Sequence, residues 1–379
     1  MASSGAVSGA GCEAGPPFRA EIVGSLLRPR ILKETAAEIA LGKTDAAAHH
    51  RVLEQEIARV VERQESIGFK VASDGELART SWFGFFFEGL DGFRLGPSLF
   101  RFRNPTGEDF EWPTCVASGT IRRRSPIALA EYDRLARLTR TALPKATLPT
   151  PSAFHFFRFT QPFEPAVYTQ ERYFDDLVAV YRSEIAELAA AGCRYLQLDE
   201  VPLAMLCDPL VQEQARTHGG DPDALLDLYI GVMRRILDGR PPGMTVGLHL
   251  CRGNFRGRWM AAGGYEPVAV RLFNDIPVDA FFLEYDSERA GDFAPLRHVP
   301  KERRVVLGLL STKTPALEDR DELRRRIDEA ARYVDLDRLA LSTQCGFASV
   351  AGGNLIDEKA QWAKLERVAE TARAVWGTT

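Results

Sequence analysis

Tyr195-Leu196-Gln197-Leu198-Asp199 is a short β-rich run that closes on a carboxylate, and Glu200 adds a second one directly after it. Runs of this kind, ending in polar or glycine residues, recur along the chain and read as strands. Eight are found: Ala20 to Val23, Phe69 to Ser73, Lys145 to Leu148, Tyr195 to Asp199, Thr245 to Leu250, Ala280 to Glu284, Arg304 to Leu309 and Leu339 to Thr343. Helical patterns follow most of them. Leu53, Ile57, Val60, Val61 and Gln64 share one stripe, as do Leu177, Tyr181, Ile185 and Leu188. Further helices are expected over Pro222 to Leu237, Leu317 to Tyr333 and Asp357 to Trp376.

Strands alternating with helices in this number predict a (β/α)8 TIM barrel, with an open doubly wound sheet as the competitor. The long interval between the second and third strands breaks the rhythm. Inside it, Phe100 to Asn104 and Cys115 to Arg122 predict a hairpin across the Pro/Gly-rich Asn104 to Pro113, an insertion spanning about residues 90–125 at the barrel mouth. Residues 1–17 are rich in small residues and are expected to form a disordered tail, leaving 18–379 as a single catalytic domain.

Composition narrows the partners. The chain has 379 residues, 45% hydrophobic and 26% charged, with a net charge of -4, so no global positive field draws it to nucleic acid or to an anionic membrane. No run reaches the roughly 20 apolar residues of a membrane span, and the N-terminus lacks a secretory pattern. A cytoplasmic enzyme acting on small molecules is expected, and a homo-oligomer is compatible with the sequence. Six scattered cysteines then read as thiols or metal ligands rather than disulfides.

In a barrel of this type the chemistry sits at the C-terminal ends of the strands. Those ends carry Gly24-Ser25, Asp74-Gly75-Glu76, Thr150-Pro151-Ser152, Asp199-Glu200, His249-Leu250-Cys251, Glu284, Ser311-Thr312-Lys313 and Gln344-Cys345-Gly346. Strand alternation turns His249 and Cys251 to the same side. With Glu284 and Cys345 they supply four ligands of N, S, O and S type, which suits tetrahedral zinc. Taken singly, each would read as a small buried hydrophobe or a satisfied core histidine. A thiolate-rich site favours making a bound sulfur nucleophilic over making an acidic water, and Glu284 is the most exchangeable of the four.

These residues resemble the C-terminal catalytic barrel of cobalamin-independent methionine synthase, from Glu21 to about Trp376. The marks are Val23-Gly24-Ser25, Asp74-Gly75-Glu76, Leu196-Gln197-Leu198-Asp199-Glu200-Val201-Pro202, His249-Leu250-Cys251, Glu284 and Gln344-Cys345-Gly346. The resemblance implies zinc on His249, Cys251, Glu284 and Cys345, and transfer of a methyl group to homocysteine. It also implies that Ser25 lies near the homocysteine carboxylate, while Glu76 and Asp199 accept from its ammonium.

Two departures matter. The full-length synthase has a second barrel that helps bind its folate donor, so the donor here can be a methylfolate or a methylcorrinoid. Where the family carries a histidine as acid, this chain has Lys313, which can act as an acid if burial lowers its pKa or as a fixed charge for an anionic group. Lys313, with Arg252-Gly253-Asn254 and Leu283-Glu284-Tyr285-Asp286, resembles the short single-barrel, methionine synthase II-like branch. His155 is the other candidate acid. Aromatic segments at Trp82 to Phe87 and Phe154 to Phe159 offer Trp82 and Phe154 as stacking surfaces for a planar donor. A related zinc barrel, epoxyalkane:coenzyme M transferase, supplies the alternative of alkyl transfer to another thiol.

Overall fold

The computed structural model describes residues 15–101 and 112–379. Among them run ten strands: β1 (Val71–Ala72), β2 (Leu90–Pro97), β3 (Pro113–Arg123), β4 (Leu143–Pro144), β5 (Ala146–Pro149), β6 (Tyr195–Glu200), β7 (Thr245–Leu250), β8 (Ala280–Glu284), β9 (Arg304–Leu310) and β10 (Leu339–Thr343). Strands β5 to β10 lie side by side in chain order as one parallel sheet. β1 pairs in parallel with β4, and a bond from Lys145 N to Ala72 O (3.0 Å) carries that pairing to the start of β5.

The first expected strand is reduced to one parallel bridge between Ala20 and Leu341 of β10. Its other flank meets the β1 end of the ring through Leu26 N to Gly75 O (2.9 Å) and Ser73 Oγ to Gly24 O (2.7 Å). Together these contacts close an α/β TIM barrel. Among the described residues no strand ladder crosses this seam. Side chains from inside the barrel serve its carbonyls instead: Lys145 Nζ donates to Ile22 O, and Gln197 Nε2 to Val23 O at 2.7 Å.

Strand parity then sorts the residues. Val71, Tyr195, Ala280, Phe282, Val306 and Ala340 form their own buried cluster, closed by Phe18 and Leu143, which fills the barrel interior. Their neighbours Leu196, Leu198, Leu248, Leu250 and Leu307 join the main core with the surrounding helices. Gly247 is bare for a reason of space: a Cβ there would lie 2.7 Å from the Phe282 ring. Following the inward parity upward reaches Asp199, His249 and Glu284 at the strand ends. Asp199 and His249 are register partners on β6 and β7, and Glu284 lies two residues beyond Phe282, the partner of His249 on β8.

Among the described residues, five helices longer than ten residues wrap the ring with side-chain caps: Ala46–Ile67, Gln170–Ala190, Pro222–Leu237, Arg320–Ala330 and Glu358–Trp376, capped by Asp45, Thr169, Asp221, Asp319 and Asp357. The helix expected over Leu317 to Tyr333 is shorter. Asp319 accepts from the backbone of Asp321 and Glu322, which fixes its start and leaves Leu317 exposed.

The insertion is a hairpin, but its first strand is β2 and not Phe100 to Asn104. β2 buries little besides Leu90, and its register shifts between Asp91 and Phe93, so its alternation is faint in the sequence. Phe100 belongs instead to an aromatic floor, stacked on Phe156 with centroids 4.9 Å apart. The remainder of that expected strand, residues 102–104, lies outside the described residues, as do residues 104–111 of the expected connection and 1–14 of the tail. Gly15 O and Pro17 O each accept from Arg304 Nη1 at 2.9 Å.

Glu184, fully buried on the helix Gln170–Ala190, ties the hairpin to the barrel. It accepts from Arg123 Nη1 at 2.6 Å, Ile127 N at 2.9 Å and Ala128 N at 2.7 Å. Glu184→Ala leaves the Ile127 and Ala128 N–H groups without their acceptor, while Glu187 still holds Arg123, and is expected to cost about 2 kcal/mol, measured as a lower midpoint in chemical denaturation. A change under about 0.5 kcal/mol, the range of ordinary surface substitutions, would remove this anchor from the account.

Candidate metal centre and substrate cavity

β7 delivers His249, and Cys251 follows one residue beyond its end, while Cys345 comes from the turn after β10. Ligand atoms of these three residues all lie within 4.8 Å of one another. Cys345 Sγ is 4.0 Å from Cys251 Sγ. Among the described residues, neither buried ring nitrogen of His249 finds a hydrogen-bond partner. Leaving a buried imidazole unpaired at both nitrogens is unfavourable, so the orphaned pair beside two thiols fits a site built for a metal. One imidazole and two thiols suit zinc better than a hard cation.

Glu284, the fourth ligand expected from sequence, stands apart from this trio and is fully buried. Its Oε1 accepts from Lys313 Nζ at 3.1 Å and from Arg289 Nη2, and its Oε2 from Arg252 N at 2.6 Å. Burial alone would raise this carboxyl, but Lys313, Arg289 and Arg252 outweigh it and hold Glu284 well below the usual carboxylate range. The same pairing changes the reading of Lys313. Burial favours its neutral form, yet Glu284 and Asp286, the latter at 3.0 Å, raise its pKa above the ordinary lysine value. Lys313 is therefore a poor proton donor, and its charge is already met by two carboxylates.

His155 is no better placed. Burial pushes it down to about 3, its Nδ1 bonds Tyr229 Oη at 2.9 Å, and Phe174 lies against its ring. It is absent from the lining of the cavity described next.

A cavity of about 400 Å³ opens over the trio. Ser25, Glu76 and Asp199 line it together with His249, Cys251 and Cys345, so strand ends far apart in sequence meet as expected. Trp82 is also at the surface. Phe154 is not, being packed behind Phe83 and Phe86 at 6.5 and 6.0 Å. The aromatic wall is made by Trp82, Phe83, Phe87, Trp112 and Phe157, the last two in edge contact at 4.5 Å.

Each of the two carboxylates is held on one oxygen. Glu76 Oε1 accepts from Thr147 Oγ1 at 2.9 Å, with Arg79 Nη1 at 3.4 Å. Glu76 has a φ of 53°, a left-handed conformation unusual for a glutamate, and its N–H is fixed by Asp74 Oδ1 at 2.8 Å. Asp199 Oδ1 accepts from Gln197 Nε2 at 2.8 Å. Burial pushes the Asp199 carboxyl up to about 6, with His249 opposing and Glu76 adding to the rise. Ser25 is seated by Gly346, where a Cβ would fall 2.0 Å from Ser25 Oγ. The sequence marks Gln197 and Arg252 as motif residues without giving either a role, and Arg289 carries no motif. Gln197 shares the parity of Asp199 and was within reach of the strand argument; nothing local distinguishes Arg289.

Comparison with known proteins agrees with this geometry. The family model described as cobalamin-independent synthase, catalytic domain, matches residues 19–364, and the chain belongs to that family. Within it, the chain is 40% identical over 364 residues to the uncharacterized protein YxjH of Bacillus subtilis, covering 95% of both. It is 23% identical over 331 residues to a 5-methyltetrahydropteroyltriglutamate--homocysteine methyltransferase of Corynebacterium efficiens, covering 87% of this chain and 40% of that longer protein. The crystal structure of a putative vitamin-B12 independent methionine synthase from Listeria monocytogenes superposes with a TM-score of 0.75 at 31% identity, covering 95% of this chain and 98% of that one.

The trio makes a direct prediction. Protein purified with zinc should carry one equivalent, and Cys345→Ser and His249→Ala should each weaken binding by more than the roughly 10- to 100-fold lost when a residue behind a metal ligand is removed. Zinc occupancy equal to wild type in both variants, by elemental analysis against a competing chelator, would reject the centre as drawn.

Proposed function

We propose that this protein is a zinc-dependent S-methyltransferase that passes a methyl group to the sulfur of homocysteine. The observation that carries the reading is one cavity holding both a soft donor trio and two carboxylates, each with an oxygen left for a ligand. A metal trio alone fits many thiols. Paired carboxylates at the same mouth select one that carries an ammonium.

His249, Cys251 and Cys345 would hold the zinc, with Glu284 nearby as the candidate exchangeable ligand, and the ion would supply the Lewis acidity that keeps a substrate thiol, of pKa about 8.5 when free, deprotonated at neutral pH. The remaining work belongs to the chain. Glu76 and Asp199 accept from the substrate ammonium, and Ser25 faces its carboxylate. Trp82, Phe83, Trp112 and Phe157 exclude water above the sulfur and offer ring faces to the methyl donor. A methylfolate or a methylcorrinoid can meet this wall. The name of the Corynebacterium efficiens relative supports homocysteine as acceptor and a methylfolate as donor.

The coenzyme M alternative loses its main support. Lys313, the group that would meet a sulfonate, is engaged by Glu284 and Asp286, and two carboxylates repel such an anion.

Turnover of homocysteine with methyltetrahydrofolate and with methylcobalamin, offered separately, decides the reading; inactivity with both rejects it. In the active pairing, Glu76→Gln is expected to raise KM for homocysteine about tenfold, the loss of one charge-assisted contact. Gly346→Ala should raise the same KM by displacing Ser25, with little effect on zinc content. A change in kcat alone for either variant would place the residue elsewhere in the reaction.

A further inference from the structure

Asp199 is held from behind by a residue whose own contacts are complete. Gln197 stands two positions earlier on β6 and so occupies the same inward face one layer deeper. Its Nε2 donates to Asp199 Oδ1 at 2.8 Å and to Val23 O at 2.7 Å, and its Oε1 accepts from Lys145 Nζ at 2.8 Å. Both amide hydrogens are used.

An ammonium can only donate, so Lys145 turns the Gln197 oxygen toward itself and thereby turns the nitrogen toward Asp199. Lys145 is itself pinned. It is buried, donates also to Ile22 O, and lies 3.4 Å from Glu21 Oε2. Glu21, Lys145, Gln197 and Asp199 thus form one connected file from the barrel interior to its mouth. Of the four, Asp199 alone lines the cavity.

We infer that Gln197, oriented by Lys145, is a positioning residue that confers selectivity for a thiol bearing an ammonium. It does so by fixing Oδ1 of Asp199 and leaving Oδ2 as the acceptor for the ligand. The inference rests on the proposed reading of this cavity as the homocysteine site. Asp199 faces a second carboxylate, Glu76, across the same cavity. A fixed N–H behind Asp199 offsets their repulsion and keeps it from turning away before the ammonium arrives.

The test compares L-homocysteine with 4-mercaptobutyrate, the same thiol acid without its ammonium, by calorimetric titration of the zinc-loaded protein. Wild type should prefer homocysteine. Gln197→Leu should lose about tenfold in homocysteine affinity and bind 4-mercaptobutyrate as before, a split that general loosening of the barrel would not produce. Gln197→Glu keeps the side-chain volume and the contact with Lys145 while removing the donors, so it should show the same split even if the leucine variant does not fold. Melting temperature and zinc content accompany each titration. If wild type does not prefer homocysteine, the reading of the cavity fails and the inference falls with it. Wild-type preference retained in a folded, zinc-loaded variant overturns the inference alone. Failure of both variants to fold makes Gln197 a structural residue and overturns it as well.

Discussion

Parallel strands locked in register leave each barrel position only two directions, inward or outward, and every other feature of this protein is arranged around that choice. On β6 to β8 the inward side carries Tyr195, Gln197 and Asp199, then Thr245, Gly247 and His249, then Ala280, Phe282 and Glu284. The lower levels hold rings and small residues around one buried polar file, Glu21, Lys145 and Gln197, whose groups pair with one another and with the carbonyls of Ile22 and Val23. Towards the mouth, the same parity delivers charged and metal-competent groups whether or not they have partners. The chain answers with polar residues from neighbouring strands and loops, so the site is an extension of barrel packing rather than an addition to it.

The strongest charge cluster lies just outside the metal trio. Glu284 gathers Lys313, Arg289 and Arg252, and Asp286 shares Lys313. Such a cluster keeps a carboxylate ionised in a dry setting, next to donors that need one. It also fixes the Glu284 carboxylate on both of its oxygens, apart from His249, Cys251 and Cys345. Lys313 is thereby accounted for by its neighbours, with its charge met by Glu284 and Asp286.

Much of this was legible in the sequence because strand ends are local. The barrel, the meeting of His249, Cys251 and Cys345, and the gathering of Ser25, Glu76 and Asp199 at one mouth all follow from where short apolar runs stop, whereas Glu284, expected as a fourth ligand from the same rule, is drawn aside by Lys313, Arg289 and Arg252. What escaped depends on contacts between distant segments. Lys313 looks available until Asp286 and Glu284 are placed beside it. His155 looks like an acid until Tyr229 and Phe174 bury it. The hairpin was displaced in the reading because β2 packs few of its side chains, whereas Phe100, with a stronger strand signature, stacks on Phe156. Phe154 looks like a cavity ring in sequence, but it lies behind Phe83 and Phe86 and supports the rings at the surface.

The seam beside Ala20 to Gly24 has a consequence for how the chain can change. Backbone ladders tolerate almost any side chain, so most of the ring can drift in sequence without opening. Here the few contacts that close the ring at Ala20, Gly24 and Leu26 are supplemented by Lys145 and Gln197, whose side chains reach across to Ile22 and Val23, and Gln197 also touches the carboxylate at the mouth. In this chain the loops at the mouth can change without touching that layer, whereas a substitution at Gln197 acts on Asp199 and on the barrel wall at once.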